Sequence, residues 1–121
     1  MFSFRKLDVY NESRLFVKIV YELLQQFPKE ENFSLSAQLR RAVVSVPSNI
    51  AEGMGRRSKK EQIHFLEIAF GFLMETFCQL EIAKYLGYIT NEQLSDLEYT
   101  VEKISKMLSG LTASIEKTLN H

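Results

Sequence analysis

The sequence of 121 residues contains one cysteine, two prolines and no tryptophan. A single thiol cannot form an internal disulfide, so the fold has to rely on its hydrophobic core, and we expect Cys78 to be a partly buried structural thiol. No stretch of about 18 uninterrupted apolar residues occurs, and no apolar run of signal-peptide length follows the start. The expectation is a soluble cytoplasmic protein with no membrane segment.

The formal net charge is zero, because 15 basic residues balance 15 acidic ones. The two signs are nevertheless separated along the chain. Residues 34–60 hold six bases and one acid, whereas residues 61–121 hold nine acids and four bases. Such a chain can present an electropositive region to phosphates, or it can pair oppositely charged surfaces between subunits. Both interpretations stay open.

Apolar residues recur at steps of three and four in four segments, which is typical of amphipathic helices. The first segment spans residues 7–27 and ends before Pro28. The second starts after a cap at Ser34 or Ser36 and continues to about Glu52.

The second helix contains two irregular features. Pro47 removes one backbone donor and presses on the carbonyl of Val43, so we expect a kink there. We expect the glycines at 53 and 55 to end this helix, because glycine tolerates a left-handed turn.

Two capping boxes open the third and fourth helices. Ser58 with Glu61, and Thr90 with Gln93, have the spacing that satisfies the first free amides of a helix. Gly87 is the predicted stop of helix 3. The predicted buried positions of helix 3 are Ile63, Leu66, Phe70, Leu73, Phe77 and Leu80, and those of helix 4 are Leu94, Leu97, Val101, Ile104, Leu108, Leu111 and Ile115.

Short links between helices of about 28 residues favour antiparallel neighbours. The predicted fold is therefore all-α, an antiparallel up-down-up-down four-helix bundle. Residues 1–121 form a single domain in this interpretation, because strand patterns, repeats and low-complexity linkers are all missing from the sequence.

Helix 3 has a wider apolar arc than one core requires, which predicts a subunit interface. The candidate interface residues are Phe65 and Phe72, with Ser45 and Ser48 of helix 2 as small side chains that permit close helix approach. The alternative is that the neighbouring helices of the same chain cover this arc, and that the serines form a solvated face.

The sequence gives little support for a catalytic site or a metal site. Glu61 and His64 have the Glu-x-x-His spacing of di-iron bundles, but such a site needs two copies and two further carboxylates, and the other histidine is His121. His64 lies about 21 Å along the helix from Cys78, too far to activate the thiol. We therefore predict no enzyme activity, no metal and no cofactor.

The remaining chemical signal is a basic cluster at the turn between helices 2 and 3. A helix start already attracts phosphate through its free amides, and arginine adds forked donors. The predicted nucleic-acid-binding residues are Arg40, Arg41, Arg56, Arg57, Lys59 and Lys60. The alternative is a solvated turn whose bases only keep the protein soluble. Arg41 can instead form a structural ion pair with Glu52 or another acid.

The run at 38–53, QLRRAVVSVPSNIAEG, followed by Gly55 and Arg56, resembles the signature of the 23S rRNA intervening-sequence protein family, also called four helix bundle protein. The similarity also extends from residues 7–10 through 27–28, to residues 65–69 with Glu75, and to residues 87–89, so the resemblance covers nearly the whole chain. In many members the helix 3 motif reads more like Ala-Arg-Gly-Ser, whereas this chain has AFGF at 69–72.

The resemblance implies a homopentameric ring without established enzyme activity. It also implies kinship with the accessory variability protein of diversity-generating retroelements, which binds nucleic acid and a reverse transcriptase. RNA or DNA is therefore the expected partner, and an oligomeric scaffold that binds only protein is the alternative.

Overall fold

The computed structural model describes residues 2–119, which form four α-helices and two short 3-10 turns. The helices are α1 (Asp8–Leu24), α2 (Leu35–Met54), α3 (Lys59–Tyr85) and α4 (Asn91–Leu119), and the turns are Ser3–Lys6 and Lys29–Glu31. Residues 2–119 contain no strand. The predicted all-α four-helix fold is confirmed.

The four helices pack side by side, with one helix at each corner of a square. α1 and α3 each contact both α2 and α4, and neither diagonal pair is in contact within residues 2–119. The α1–α2 and α3–α4 connections meet at one end of the bundle, where the Gln26 side chain donates to the Tyr88 carbonyl at 2.9 Å. The α2–α3 turn, the start of α1 and the end of α4 share the other end. This arrangement confirms the up-down-up-down topology.

One hydrophobic core runs through the bundle. Each helix contributes fully buried side chains, for example Phe16, Leu39, Leu73 and Ile104. This core is continuous through the described residues. Met1, Asn120 and His121 lie outside the described residues.

The starts of α3 and α4 and the end of α3 follow the predicted local signals. The predicted cap of α2 is not confirmed, because Ser34 precedes α2 without a side-chain cap bond and the Ser36 hydroxyl lies inside the helix. The Ser58 hydroxyl accepts from the Glu61 amide at 3.4 Å. Thr90 and Gln93 form the complete reciprocal box, with distances of 2.9 and 3.1 Å. Gly87 has a φ of +84°, and the Tyr88 amide donates to the Ala83 carbonyl at 2.9 Å, as in a Schellman motif.

The predicted buried stripe of α3 is wrong at Phe70, which is 40% exposed. Ile63 and Phe77 are half-buried and pack against the core. Small side chains are buried beside the predicted leucines. The buried residues of α3 are Leu66, Ala69, Leu73, Thr76, Gln79, Leu80 and Ala83. α2 and α3 approach closely at Gly53 and Phe65, and small buried side chains suit close helix packing better than a phenyl ring does.

The prediction that α2 ends at Gly53-Met54-Gly55 is confirmed, because its last residue is Met54. The left-handed turn expected there is wrong. Gly55 has a φ of −83°, and Gly87 has the only positive φ in the described part of the chain. Gly53 lies inside α2 and is buried. A Cβ placed on Gly53 would lie 2.9 Å from the Phe65 Cβ and 3.3 Å from the Gln62 carbonyl oxygen. Gly53 therefore permits the close approach of α2 and α3.

Pro47 lies within α2 without ending it. On either side of it, the Ser45 hydroxyl donates to the Arg41 carbonyl and the Asn49 amide donates to the Ser45 carbonyl, both at 2.7 Å. The kink at Pro47 stays a prediction. α1 ends earlier than predicted, at Leu24, because the next amides form tighter bonds to carbonyls three residues back.

Candidate nucleic-acid interface

The six predicted phosphate-binding residues lie in two separate places. Arg56, Arg57, Lys59 and Lys60 gather at the α2–α3 turn, whereas Arg40 and Arg41 lie in the first half of α2. Fourteen residues of helix separate position 41 from Gly55, or about 21 Å at about 1.5 Å per residue. Arg40 is bound locally, since it donates to the Asn32 carbonyl at 2.8 Å. The structure therefore brings together four of the six residues.

Arg56 is held by its own chain. Its Nη2 lies 2.6 Å from the Glu52 Oε1, and its guanidinium carbon lies 4.7 Å from the centroid of the Phe65 ring. The Gln62 side chain also donates to the Arg56 carbonyl at 2.9 Å. The Glu52 carboxylate is thus paired with Arg56 and not with Arg41, which corrects the pairing considered above. Arg56 therefore stabilises the conformation of the α2–α3 turn, and only part of its guanidinium is accessible to a ligand.

Arg57, Lys59 and Lys60 are the accessible bases of the turn. All three are exposed. The ion pairs found among residues 2–119 are Arg56–Glu52 and Lys103–Glu12, so no carboxylate lies within ion-pair distance of these three side chains. They surround the start of α3, where free amides and the helix dipole add further positive potential. An open, exposed cluster of bases suits an extended polyanion better than a small anion bound in a closed pocket.

Two further bases reach the same end and were not identified from the sequence. Arg5 and Lys6 are exposed in the first 3-10 turn. Phe4 of this turn lies in a groove with Pro47 and Ala51 of α2, which places the turn beside the last third of α2. The antiparallel topology was the available signal, because it sets the start of α1 beside the end of α2. We call the set Arg5, Lys6, Arg56, Arg57, Lys59 and Lys60 the basic end.

The opposite end of the bundle is acidic. We call the set Glu30, Glu31, Glu92 and Asp96 the acidic end; its four members come from the second 3-10 turn and the first turns of α4. The Tyr88 hydroxyl donates to Glu31 at 2.7 Å. This bond to a carboxylate, with some desolvation, raises the pKa of Tyr88 above its ordinary value. Acids such as Glu52 and Glu61 also occur at the basic end, and Lys29 and Lys84 lie at the acidic end. The separation of charge is therefore a bias along the bundle axis.

The predicted interface residues are partly used within the chain. Phe65 and Phe72 are both half-buried. Phe65 packs against Gly53 and beneath Arg56, and Phe72 packs on the core. The Ser45 hydroxyl is bonded within α2, whereas Ser48 is exposed. Their role between subunits stays a prediction.

The outer surface of α3 exposes different apolar residues. Phe70, Met74, Ile82 and Tyr85 are 40, 38, 43 and 89% exposed. Cys78 is exposed in the same row, which corrects the expectation of a partly buried thiol. We call Phe70, Met74, Cys78, Ile82 and Tyr85 the α3 outer row.

Potential metal ligands are dispersed. No group of three or more His, Cys, Asp or Glu side chains within residues 2–119 has the geometry to hold a metal ion. His64 is exposed, with its ring edge-on to Phe65 at 5.8 Å between centroids. His121 lies outside the described residues.

By length and composition alone, α3 could cross a membrane, and it is the one helix of the described chain that passes this test. In the bundle its inward stripe packs against α2 and α4, as in the core helix of a soluble protein. Only 33% of its most apolar 18-residue window is buried, however. α3 is therefore more apolar than the interior of one chain requires.

The fold and the basic end together define a class, that of small four-helix bundles with a charged end and no clustered metal ligands in the described residues. The family model of the 23S rRNA-intervening sequence protein matches residues 5–110. The chain belongs to this family, which confirms the resemblance noted in its sequence.

A solved structure gives the same result. The chain is similar to a crystal structure of a protein with unknown function from the S23 ribosomal protein family of Bacteroides thetaiotaomicron VPI-5482. The two are 28% identical with a TM-score of 0.79, and the match covers 86% of this chain and 97% of that one. No curated protein is significantly similar to the chain in sequence.

Proposed function

We propose that this chain is a non-catalytic, oligomeric accessory protein of the cytoplasm that binds RNA or DNA through the phosphates at its basic end. The observation that carries the proposal is the exposure of Arg57, Lys59 and Lys60 around the start of α3, with no ion-pair partner among residues 2–119. Phosphate contacts supply most of the affinity of nucleic-acid binding that is not sequence-specific.

Arg56 has a supporting role in this proposal. Its pairing with Glu52 and its stacking on Phe65 hold the turn, so that the neighbouring bases project from a fixed backbone. Arg5 and Lys6 extend the same surface across the start of α1. Arg40 and Arg41 lie too far away to join a single compact contact, and they would meet only a longer nucleic acid.

The test is fluorescence anisotropy of a labelled structured RNA, with duplex DNA in parallel, at about 50 and 200 mM salt. Each neutralised phosphate of a duplex contributes a slope of about 0.9 on the log–log plot. We expect the double variant Arg57→Glu, Lys60→Glu to flatten the slope and weaken binding strongly. The combined Lys18→Glu, Lys106→Glu variant is the matched control, because it reverses the same number of exposed bases in α1 and α4, outside the basic end.

Two results would contradict the proposal. One is the absence of binding to RNA and DNA at the lower salt. The other is an equal loss of affinity in the Lys18→Glu, Lys106→Glu control and in the Arg57→Glu, Lys60→Glu variant, which would show that overall charge matters and the turn does not.

A protein-binding scaffold is the second candidate, and the exposed α3 outer row favours it. A defined partner protein that binds the wild type and the Arg57→Glu, Lys60→Glu variant equally would support the scaffold. The resemblance implies kinship with the retroelement accessory protein, and this kinship would make a reverse transcriptase one such candidate partner. The homopentamer implied by the resemblance belongs to this proposal as well, and the mass of the protein in solution tests it.

A further inference from the structure

A groove opens on one side of the bundle, between the first 3-10 turn, α1 and α2. Its volume is about 350 Å³, within the range of about 300–1,000 Å³ that is usual for small-molecule sites. The side chains that line it include Phe4, Tyr10, Arg14, Val44, Pro47 and Ser48. We call it the α1–α2 groove. It is large enough for one planar ring and offers aromatic surface to that ring.

The aromatic side chains of this region form a continuous surface. The Phe4 ring lies edge-on to Tyr10, with 4.9 Å between the centroids. The Phe2 ring lies nearly parallel to Phe4 at 6.0 Å. Phe2 is 73% exposed, so this surface faces solvent and does not belong to the core. Exposed aromatic rings beside basic side chains are the groups on which unpaired nucleobases stack.

Positive charge lies on both sides of the α1–α2 groove. Phe4 is followed directly by Arg5 and Lys6 of the basic end, and both are exposed. Farther along α1, the exposed Arg14 has its guanidinium carbon 5.6 Å from the centroid of the Tyr10 ring. A strand with one nucleobase in the groove would therefore find basic side chains for the phosphates on either side of it.

The acids near the groove do not cancel this charge. Glu52 lies beside it but is already ion-paired within the α2–α3 turn. Asp8 and Glu12 are each two residues from Tyr10 along α1. Two residues correspond to a rotation of about 200°, so both acids lie on the opposite side of α1 from the groove. Glu12 is also paired with Lys103 of α4 at 3.1 Å.

A second groove, towards the same end of the bundle, has the opposite charge. It lies between α3 and α4, has a volume of about 420 Å³ and also contains a phenyl ring, that of Phe70. Its charged side chains are Glu67 and Glu116, which repel phosphate. Of these two grooves, the α1–α2 groove therefore suits a nucleic acid.

We propose that the α1–α2 groove binds an unpaired nucleobase of a single-stranded nucleic acid, stacked on Phe4, with the neighbouring phosphates on Arg14 and on the basic end. The inference rests on the proposed function and narrows it, because a base inside a duplex has no free face to offer. The groove joins the basic end directly, since Ser48 and Ala51 line both the groove and the hollow that contains Arg56. The exposed Ser48 hydroxyl at the rim can donate to or accept from the edge of the nucleobase.

The first experiment compares two labelled ligands by fluorescence anisotropy, oligodeoxythymidine and an abasic strand of the same length. The abasic strand keeps every phosphate and has no nucleobase to stack, so its binding at about 50 mM salt reports the phosphate contacts alone. The wild type should bind the thymidine strand about 5- to 150-fold more tightly than the abasic strand, the range expected for one stacked base.

Phe4→Ala should abolish this preference and leave the salt dependence unchanged, because it removes a ring and no charge. The Arg57→Glu, Lys60→Glu variant should do the reverse, flattening the salt dependence for both strands and keeping the preference. Tyr99→Ala is the matched control, since Tyr99 is a 73% exposed aromatic residue on α4, outside the groove. The first 3-10 turn has no buried residue, so circular dichroism should show that Phe4→Ala is folded.

The two strands separate failure of this inference from failure of the proposed function. Equal affinity of the wild type for both strands would overturn the inference and leave the proposed function intact. A preference that persists in Phe4→Ala would overturn it too, and a change of mass in that variant would then identify the groove as a contact between copies. Absence of binding to either strand would contradict the proposed function and, with it, the inference.

The second experiment uses the wild type and depends on no variant. A thymidine strand that carries one iodouracil cross-links on irradiation to an aromatic ring stacked on it, and mass spectrometry of the digested protein locates the ring. We expect the cross-link at Phe4 or Tyr10. A cross-link elsewhere, for example at Phe70 in the groove between α3 and α4, would overturn the placement of the nucleobase.

Discussion

The contact between Gly53 and Phe65 makes a strong prediction about stability, which Gly53→Ala tests. Alanine normally stabilises a helix interior by about 0.5–1 kcal/mol relative to glycine. Here the new Cβ would lie 2.9 Å from the Phe65 Cβ and 3.3 Å from a backbone carbonyl. Neither atom is the end of a flexible side chain, so α2 and α3 have to move apart.

Overpacking of this kind costs about 1–3 kcal/mol. Subtracting the gain in helix propensity leaves a net destabilisation of up to about 2.5 kcal/mol. A net cost of about 1–2 kcal/mol, in the middle of this range, should lower the melting temperature by roughly 4–8 °C.

Gly110→Ala is the matched control, because Gly110 is exposed in α4 and its Cβ would meet no atom within 4 Å. It should stabilise the protein by about 0.5–1 kcal/mol. The assay is thermal and urea unfolding followed by circular dichroism for both variants. If Gly53→Ala were as stable as Gly110→Ala, the close approach of α2 and α3 would be refuted.

Three further predictions concern the caps, the core and pH. Thr90→Ala removes the hydroxyl that accepts from the Gln93 amide at 3.1 Å, so urea unfolding should show a loss of about 1 kcal/mol; an unchanged midpoint would argue against the capping box. Leu73→Ala, in the core, should cost about 2–5 kcal/mol in the same assay, and a loss below 1 kcal/mol would place Leu73 outside the core. Tyr88→Phe should lower the melting temperature near pH 8, because it removes the bond to Glu31. The raised pKa of Tyr88 means that this bond stabilises the fold below the unfolded pKa of about 10 and is lost as pH rises through the higher folded pKa. The difference between wild type and Tyr88→Phe should therefore disappear in strongly alkaline buffer, and a difference that persists there would contradict the assignment.

The sequence was sufficient to predict the features that depend on neighbouring residues. The caps at Ser58 and Thr90 and the stop at Gly87 are local, since each is completed within six residues. The number and order of helices followed from apolar spacing and from these caps.

The errors arose where distant segments meet. Apolar spacing records hydrophobicity and not size, so it favoured Phe70 over Ala69. The preference reverses only when α2 lies close by. The role of Gly53 depends on its contact with Phe65 in the next helix. The sequence around Gly53 does not reveal this contact, so a turn glycine was expected there.

The candidate site was predicted in part. The α2–α3 turn was identified because four bases lie within five residues, and that density needs no tertiary information. Three features of the site depend on how the helices are arranged. They are the contacts of Arg56 with Glu52 and Phe65, the position of Arg40 far from the turn, and the position of Arg5 beside it.

The separation of charge along the bundle also has a consequence for handling the protein. A formal net charge of zero predicts weak retention on any ion exchanger at neutral pH. A molecule whose bases gather at one end can nevertheless adsorb end-on to a phosphate or sulfonate resin, with its acids directed away from the matrix. The electrostatic screening length is about 8 Å at physiological salt, so the distant acids would be screened from the resin. This neutral protein should therefore elute from a cation exchanger later than an evenly charged one of the same composition.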